Sequence, residues 1–150
     1  MKKLIIIALL LAAGNANASG WEFSQRADPM TDAVKSYATV ESIEKGGMLA
    51  ARCMNNEFDV LYISDGQYFP EESFVVTVRV DKEKPIKLPA NGIGAKILFM
   101  STPAILADMA KKGNKLLIGV TAYSENSSKV RAFSLKGATA AITKVEAACK

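Results

Sequence analysis

From Phe74 to Asp81 the chain reads FVVTVRVD, with Phe74, Val76, Val78 and Val80 on one side of an extended backbone and Thr77, Arg79 and Asp81 on the other. Side chains of a strand alternate between its faces, so this period of two predicts a half-buried strand whose outer face ends in charge. Comparable runs occupy Trp21 to Arg26, Val34 to Ile43, Met48 to Met54, Phe58 to Ser64, Ile93 to Met100, Leu116 to Tyr123 and Val130 to Leu135. Turn formers separate them: DPMTD at 28–32, Lys45-Gly46-Gly47, Asn55-Asn56, Asp65-Gly66, DKEKP at 81–85, Asn91-Gly92 and SENSS at 124–128. Short strands at this spacing predict a mainly β domain, an antiparallel β-sandwich.

Two segments follow a helical period instead. In STPAILADMAKKG, Thr102 suits the N-cap and Pro103 the first helical position, while Ile105, Leu106 and Met109 fall on one side. Lys111 and Lys112 suit the C-terminus and Gly113 the position after it, which predicts a short internal helix. Near the end, Ala138, Ala141, Ile142, Val145 and Cys149 form a helical stripe, predicting a C-terminal helix laid by its apolar face on the sheet.

The first residues, MKKLIIIALLLAAGNANAS, combine two lysines, an apolar run from Leu4 to Ala13 and the small-x-small sequence Ala16-Asn17-Ala18. That is the layout of a secretory signal peptide over residues 1–18, cleaved after Ala18, with residues 19–150 forming a single domain. The apolar run is about half the roughly 20 residues a membrane-spanning helix needs. No cysteine follows the cleavage site to carry a lipid, and no later stretch is apolar enough to span a bilayer. Loss of Lys2 and Lys3 lowers the formal charge from +4 by two, and the remaining lysines are scattered, so nothing points to nucleic acid. The expected location is the periplasm or the secreted medium.

Export bears on the two cysteines. Cys53 shares a strand face with Leu49 and Ala51, and Cys149 lies on the apolar stripe of the last helix. In an oxidising compartment the simplest reading is a Cys53–Cys149 disulfide fastening the C-terminal helix to the body; the alternative is two buried free thiols.

The chemistry of the remaining residues is sparse. The chain has no histidine, which removes Ser-His and Cys-His nucleophile pairs and imidazole metal ligands. Ser42 and Lys45 match a Ser-x-x-Lys pattern, but that chemistry needs the lysine one helical turn from the serine, and here the match runs from a strand into a Gly-Gly turn. Asp28 with Asp32 and Glu71 with Glu72 offer too few oxygen ligands for calcium and read as turn and surface charge. Asn126-Ser127-Ser128 fits a glycosylation sequon and reads as a loop. Arg79 and Asp81 point the same way from their strand, as a surface ion pair or an interaction patch. Trp21 reads as core in the first strand, the alternative being an aromatic anchor for a partner.

The order of these features resembles the VasI/TagO family of proteins associated with type VI secretion. The resemblance runs from Trp21 to Cys149: Trp21 followed by Asp28 to Asp32, Cys53 in an early strand, Arg79-Val80-Asp81 in a central one, Phe133 and Gly137 before the last helix, and the terminal Cys149. One difference is that the family often carries a tryptophan shortly after the Arg-x-Asp strand, where this chain reads KEKPIKLPANGIGAKILF. The resemblance implies a periplasmic, β-rich accessory protein without known catalysis, whose partner is an envelope or secretion-apparatus protein; no cofactor or metal is expected from the residues. Two other readings are a secreted inhibitor or exclusion factor that binds an envelope enzyme or receptor, and an envelope hydrolase using Ser42 and Lys45 or a carboxylate pair.

Overall fold

The computed structural model describes residues 20–121 and 128–150. The signal segment with its cleavage site, Tyr123 at the end of the expected 116–123 strand, and the SENSS turn up to Ser127 with its Asn126 sequon lie outside the described residues. The strands are β1 (Glu22–Ala27), β2 (Val34–Glu41), β3 (Gly47–Met54), β4 (Glu57–Ser64), β5 (Ser73–Val80), β6 (Ile86–Gly92), β7 (Ile97–Met100), β8 (Lys115–Thr121) and β9 (Ser128–Ser134). Helix α1 (Pro103–Ala110) joins β7 to β8, and α2 (Ala138–Ala148) follows β9. The expected mainly β, antiparallel architecture with a short internal helix and a C-terminal helix is present.

All nine strands belong to one sheet, in the order β1-β2-β3-β4-β7-β6-β5-β8-β9. The layers that face each other are therefore parts of one sheet that curls over. Tyr62 of β4 and Phe133 of β9 stand five strands apart in that order, roughly 24 Å if the sheet were flat. Their rings nevertheless meet edge to face with centroids 6.4 Å apart. The turn after β2 also reaches β9, where the Ile43 N–H donates to the Ala132 carbonyl at 2.8 Å.

Local sequence explains the hairpins. Asn55 and Asn56 both take positive φ, 52° and 61°, which is the two-residue turn that matches the twist of the flanking strands β3 and β4. At the β1–β2 tip the Asp28 carboxylate accepts the Met30 N–H at 2.9 Å, and Asp32 turns the chain at φ 57°.

The structure departs from the expected strand at 93–100. Ile86–Gly92 forms a strand of its own, β6, between β5 and β7, and β7 begins only at Ile97. Pro89 and Asn91-Gly92 disguise β6 as a turn. Pro89 is tolerated because its carbonyl accepts the Ser101 N–H at 3.0 Å just past the end of β7. In a strand the N–H and C=O of one residue point the same way, so the missing donor leaves the β5–β6 ladder intact. Gly92 is required by close approach, since a Cβ there would overlap the Pro70 carbonyl oxygen.

Inside the curl, the Phe74, Val76, Val78 and Val80 face of β5 is buried, as are Leu116, Ile118 and Val120 of β8. Helix α2 packs on β1, β2 and β3 through Ala138, Ala141, Ile142 and Val145, the stripe read from the sequence. Helix α1 differs from its expected face: Leu106, Ala107 and Ala110 are buried, Met109 is half-buried, and Ile105 is 46% exposed. Its inward side is rotated because Leu106, Ala107 and Ala110 line the narrow space shared with Trp21, Ala51 and Ile142. Thr102 holds the N-cap position without a side-chain cap bond. Trp21 is core, 8% exposed. No helix among the described residues is long and apolar enough to cross a membrane.

Candidate functional site

Cys53 and Cys149 are joined in a disulfide, with Cα atoms 5.5 Å apart, which ties the end of α2 to β3. Helix α2 is also tied to α1 by polar bonds, since the Lys111 ammonium sits 2.6 and 2.7 Å from the two Glu146 carboxylate oxygens.

Arg79 and Asp81 share a strand end but do not pair. Asp81, at φ 47°, turns its carboxylate onto the loop before β8, accepting the Asn114 N–H at 3.1 and 3.2 Å and the Lys115 N–H at 2.9 Å. Gly113 packs against Val80 and Asp81 so closely that a Cβ would overlap Val80. Arg79 donates to the Lys82 carbonyl at 3.4 Å.

Ser42 and Lys45 are also apart in environment. Ser42 is fully buried, whereas the Lys45 ammonium reaches out to Glu41 at 2.9 Å. Asp28 binds Lys35 at 3.5 Å, and Asp32 serves the hairpin turn. Glu71 and Glu72 line an open groove of about 480 Å³ with Ser73, Asn91, Gly92 and Ile93. Among the described residues no three His, Cys, Asp or Glu side chains gather in a way that could hold a metal ion.

Behind Ser42 lies an interior polar cluster. Ser42, Tyr62, Ser64 and Gln67 are all buried, and Ser64 donates to the Gln67 side-chain oxygen at 3.3 Å. Burial raises the Tyr62 pKa above the ordinary phenol value, opposed by nearby Ser64 and the Arg131 guanidinium, although its hydroxyl meets neither in hydrogen-bond geometry. Arg131 crosses the Gly46-Gly47 turn and donates to the Lys45 carbonyl at 3.1 Å. Ser64 and the Gly46-Gly47 turn also line a surface depression beside this cluster.

A surface absent from the sequence reading lies on the outer face of β3, β4 and β7. The registers align Met48, Ile63 and Ile97 in one row across these strands, and Ala50, Leu61 and Phe99 in the next. Outward positions of an antiparallel sheet usually face water and are polar. Here all six are apolar, and Ala50 and Leu61 are each only 5% exposed. Part of the cover is internal. Arg52 reaches from β3 to bind Asp59 at 3.1 and 3.2 Å and lies over the Phe99 ring, its guanidinium carbon 5.2 Å from the centroid. The Met48–Ile63–Ile97 row stays open, bordering a depression of about 290 Å³ rimmed by Glu41, Asp65 and Lys96. The signal for this surface was in the sequence: MLAA at 48–51, VLYI at 60–63 and ILFM at 97–100 are continuous apolar runs, the pattern of strands covered on both faces.

Compared with protein-family models, with curated proteins and with solved structures, the chain matches none.

Proposed function

We propose that the chain is an exported, non-catalytic binding or accessory protein of the bacterial envelope, of the kind its resemblance to the VasI/TagO family implies. The signal-like residues 1–18 and the Cys53–Cys149 disulfide support the oxidising compartment. The observation that carries the binding role is the open Met48–Ile63–Ile97 row facing outward from β3, β4 and β7, beside the Ala50–Leu61–Phe99 row that Arg52 helps to cover. Their bordering charges are already paired, Glu41 with Lys45, Arg52 with Asp59 and Asp65 with Lys96, so the rim is balanced in sign. Such a face suits the apolar centre of another protein's surface within a balanced polar border. Its occupant in this reading is an envelope or secretion-apparatus protein. Arg79, which lies outward on β5, is a second contact in the proposal.

The test is photocrosslinking in the intact envelope from a benzophenone side chain at Met48 or Ile63, with Thr143 on the exposed side of α2 as the control. Secretion-membrane or baseplate proteins bound at Met48 and Ile63 but not Thr143 are the expected result. A single envelope enzyme or receptor at those positions would favour the inhibitor reading. Equal labelling at all three positions would overturn the assignment of the face. Arg79→Ala leaves the Asp81 bonds in place and is expected to weaken the same crosslinks.

A further inference from the structure

Strand β1 is an open edge of the sheet, paired only with β2. Its ladder to β2 continues at Asp28, whose N–H donates to the Ala33 carbonyl, whereas the Trp21 N–H leaves on the other side for the Lys136 carbonyl at 2.9 Å. Main-chain groups alternate in direction along a strand, so Glu22, Ser24 and Arg26 bond toward β2, and Phe23, Gln25 and Ala27 present theirs outward. No turn, loop or cap hydrogen bond among the described residues reaches those outward groups.

The charges on this edge are unsettled within the chain. Arg26 stands directly across from Lys35, a like-charge contact, and Lys35 is bound to Asp28. Neither Arg26 nor Glu22 has an ion-pair partner among the described residues. Edges that avoid self-association are blunted by charged side chains, lysine above all, which repel a like-charged copy. This one carries an acid and a base four residues apart, both on the outer face.

We propose that β1 pairs antiparallel with β1 of a second copy of this chain, over Glu22–Arg26, about a two-fold axis at Ser24. In that register Phe23 of each copy faces Gln25 of the other, and both residues present outward main-chain groups, so each pair exchanges two N–H···O bonds. Glu22 of each copy faces Arg26 of the other in the non-hydrogen-bonded position, where side chains approach most closely. The like-charge strain between Arg26 and Lys35 is relieved by the incoming carboxylate. Other two-fold registers of this edge place Glu22 and Arg26 opposite uncharged or like-charged residues, or slide them past the end of the strand. The pairing stops at Trp21, whose N–H is already taken by Lys136. An interface of this length falls below the standard size, so the dimer is reversible and concentration-dependent.

The test uses the chain expressed from its own Met1 in a bacterial host and purified. Sedimentation velocity at rising concentration is expected to show a monomer–dimer equilibrium. With Cys53 and Cys149 bonded to each other, Ser24→Cys adds the only reactive thiol, and oxidised glutathione is expected to convert that variant to a covalent dimer, while Thr77→Cys stays monomeric. Arg26→Glu is expected to raise the dimer dissociation constant roughly tenfold by exchanging two attractive cross-strand pairs for repulsive ones, and Glu22→Arg/Arg26→Glu to restore it. A monomer at every concentration, or a dimer indifferent to Arg26→Glu and uncrosslinked through Cys at position 24, would overturn the proposal. Neither result bears on the outer face of β3, β4 and β7, which β1 does not enter.

Discussion

The core has two halves built on opposite principles. Under α2, the inward positions of β2 and β3 are mostly small: Ser36 and Ala38, then Ala51 and Cys53, with Val40 and Leu49 toward one end. Across the curl, β5 and β8 meet through Phe74, Val76, Val78, Val80, Leu116, Ile118 and Val120. A helix is a thick cylinder, and small residues beneath it let it settle on the sheet. The consequence is that two of the four residues α2 buries are alanines, Ala138 and Ala141 beside Ile142 and Val145, which limits the apolar burial it gains for its length. An isolated helix of 11 residues is marginal in water. Its attachment therefore depends on the Cys53–Cys149 bond and the Lys111–Glu146 contact, whereas the other half is held chiefly by apolar burial and its strand ladder.

Removing the covalent tie gives the largest effect. Cys53→Ser/Cys149→Ser is expected to lower the unfolding free energy by about 4 kcal/mol, measured by urea denaturation, because the bond closes a loop of about 100 residues. Hydrogen exchange of that variant is expected to show the α2 amides losing protection while those of β5 and β8 keep theirs. Retained protection in α2 would mean that packing alone holds the helix and would erase the contrast.

In the other half, Ile118→Ala is expected to cost about 3 kcal/mol, since Ile118 is fully buried and its neighbours in β5 are pinned by the ladder. This loss is global, with no element released before the rest. The helix-covered half responds to the opposite change. Ala51→Leu adds volume where Trp21, Leu106 and Ile142 already converge, and is expected to destabilise by about 2 kcal/mol while loosening α2 and α1 first.

This division was only partly legible in the sequence. Strand β5 could be read because its outward residues, Thr77 and Arg79, contrast with the valines between them. The α2 stripe and the cysteine that ends it could be read from helical spacing. Strand β6 could not, because Pro89 and Asn91-Gly92 carry turn chemistry, and only the strand order shows that the lost donor lies on the β7 side, opposite Ser101 just past the end of β7, and not in the β5–β6 ladder. The inward side of α1 was misplaced since Ile105 and Leu106 are equally apolar, and the narrow gap beside Trp21, which favours Ala107 and Ala110, is a tertiary fact. The outward apolar rows were visible as unbroken runs but need the strand order to be seen as one surface. Asp81 was read for its charge, when its carboxylate holds main-chain donors.

That role of Asp81 sharpens the comparison, because it clasps the entry to β8 in the half that otherwise relies on apolar burial. Asp81→Ala is expected to cost about 1 to 2 kcal/mol, by leaving the Asn114 and Lys115 N–H groups without their acceptor and by placing a less tolerant residue at positive φ. Asp81→Asn, which keeps an acceptor and tolerates that φ, is expected to recover most of the loss in the same denaturation experiment.

The β1–β2 tip lies beyond both halves, without a helix over it or a covalent tie, and polar bonds hold it. Asp28 accepts the Met30 N–H and the Lys35 ammonium, and its pKa lies below the ordinary aspartate value, with the Met30 bond the largest cause. A depressed pKa means that the folded tip binds the proton less readily than the unfolded chain does. Its contribution is therefore complete above the ordinary aspartate value and is lost as pH falls through the lower, folded-state value. An NMR titration of the Asp28 carboxyl carbon is expected to give a midpoint below that of an unstructured aspartate, with the Met30 amide following the same curve. The Asp28→Asn variant, which keeps an acceptor for Met30, is expected to remove that titration step from the Met30 amide without unfolding β1. A midpoint at or above the unstructured value would place the hold on the tip in the β1–β2 ladder, making it an extension of the helix-covered half.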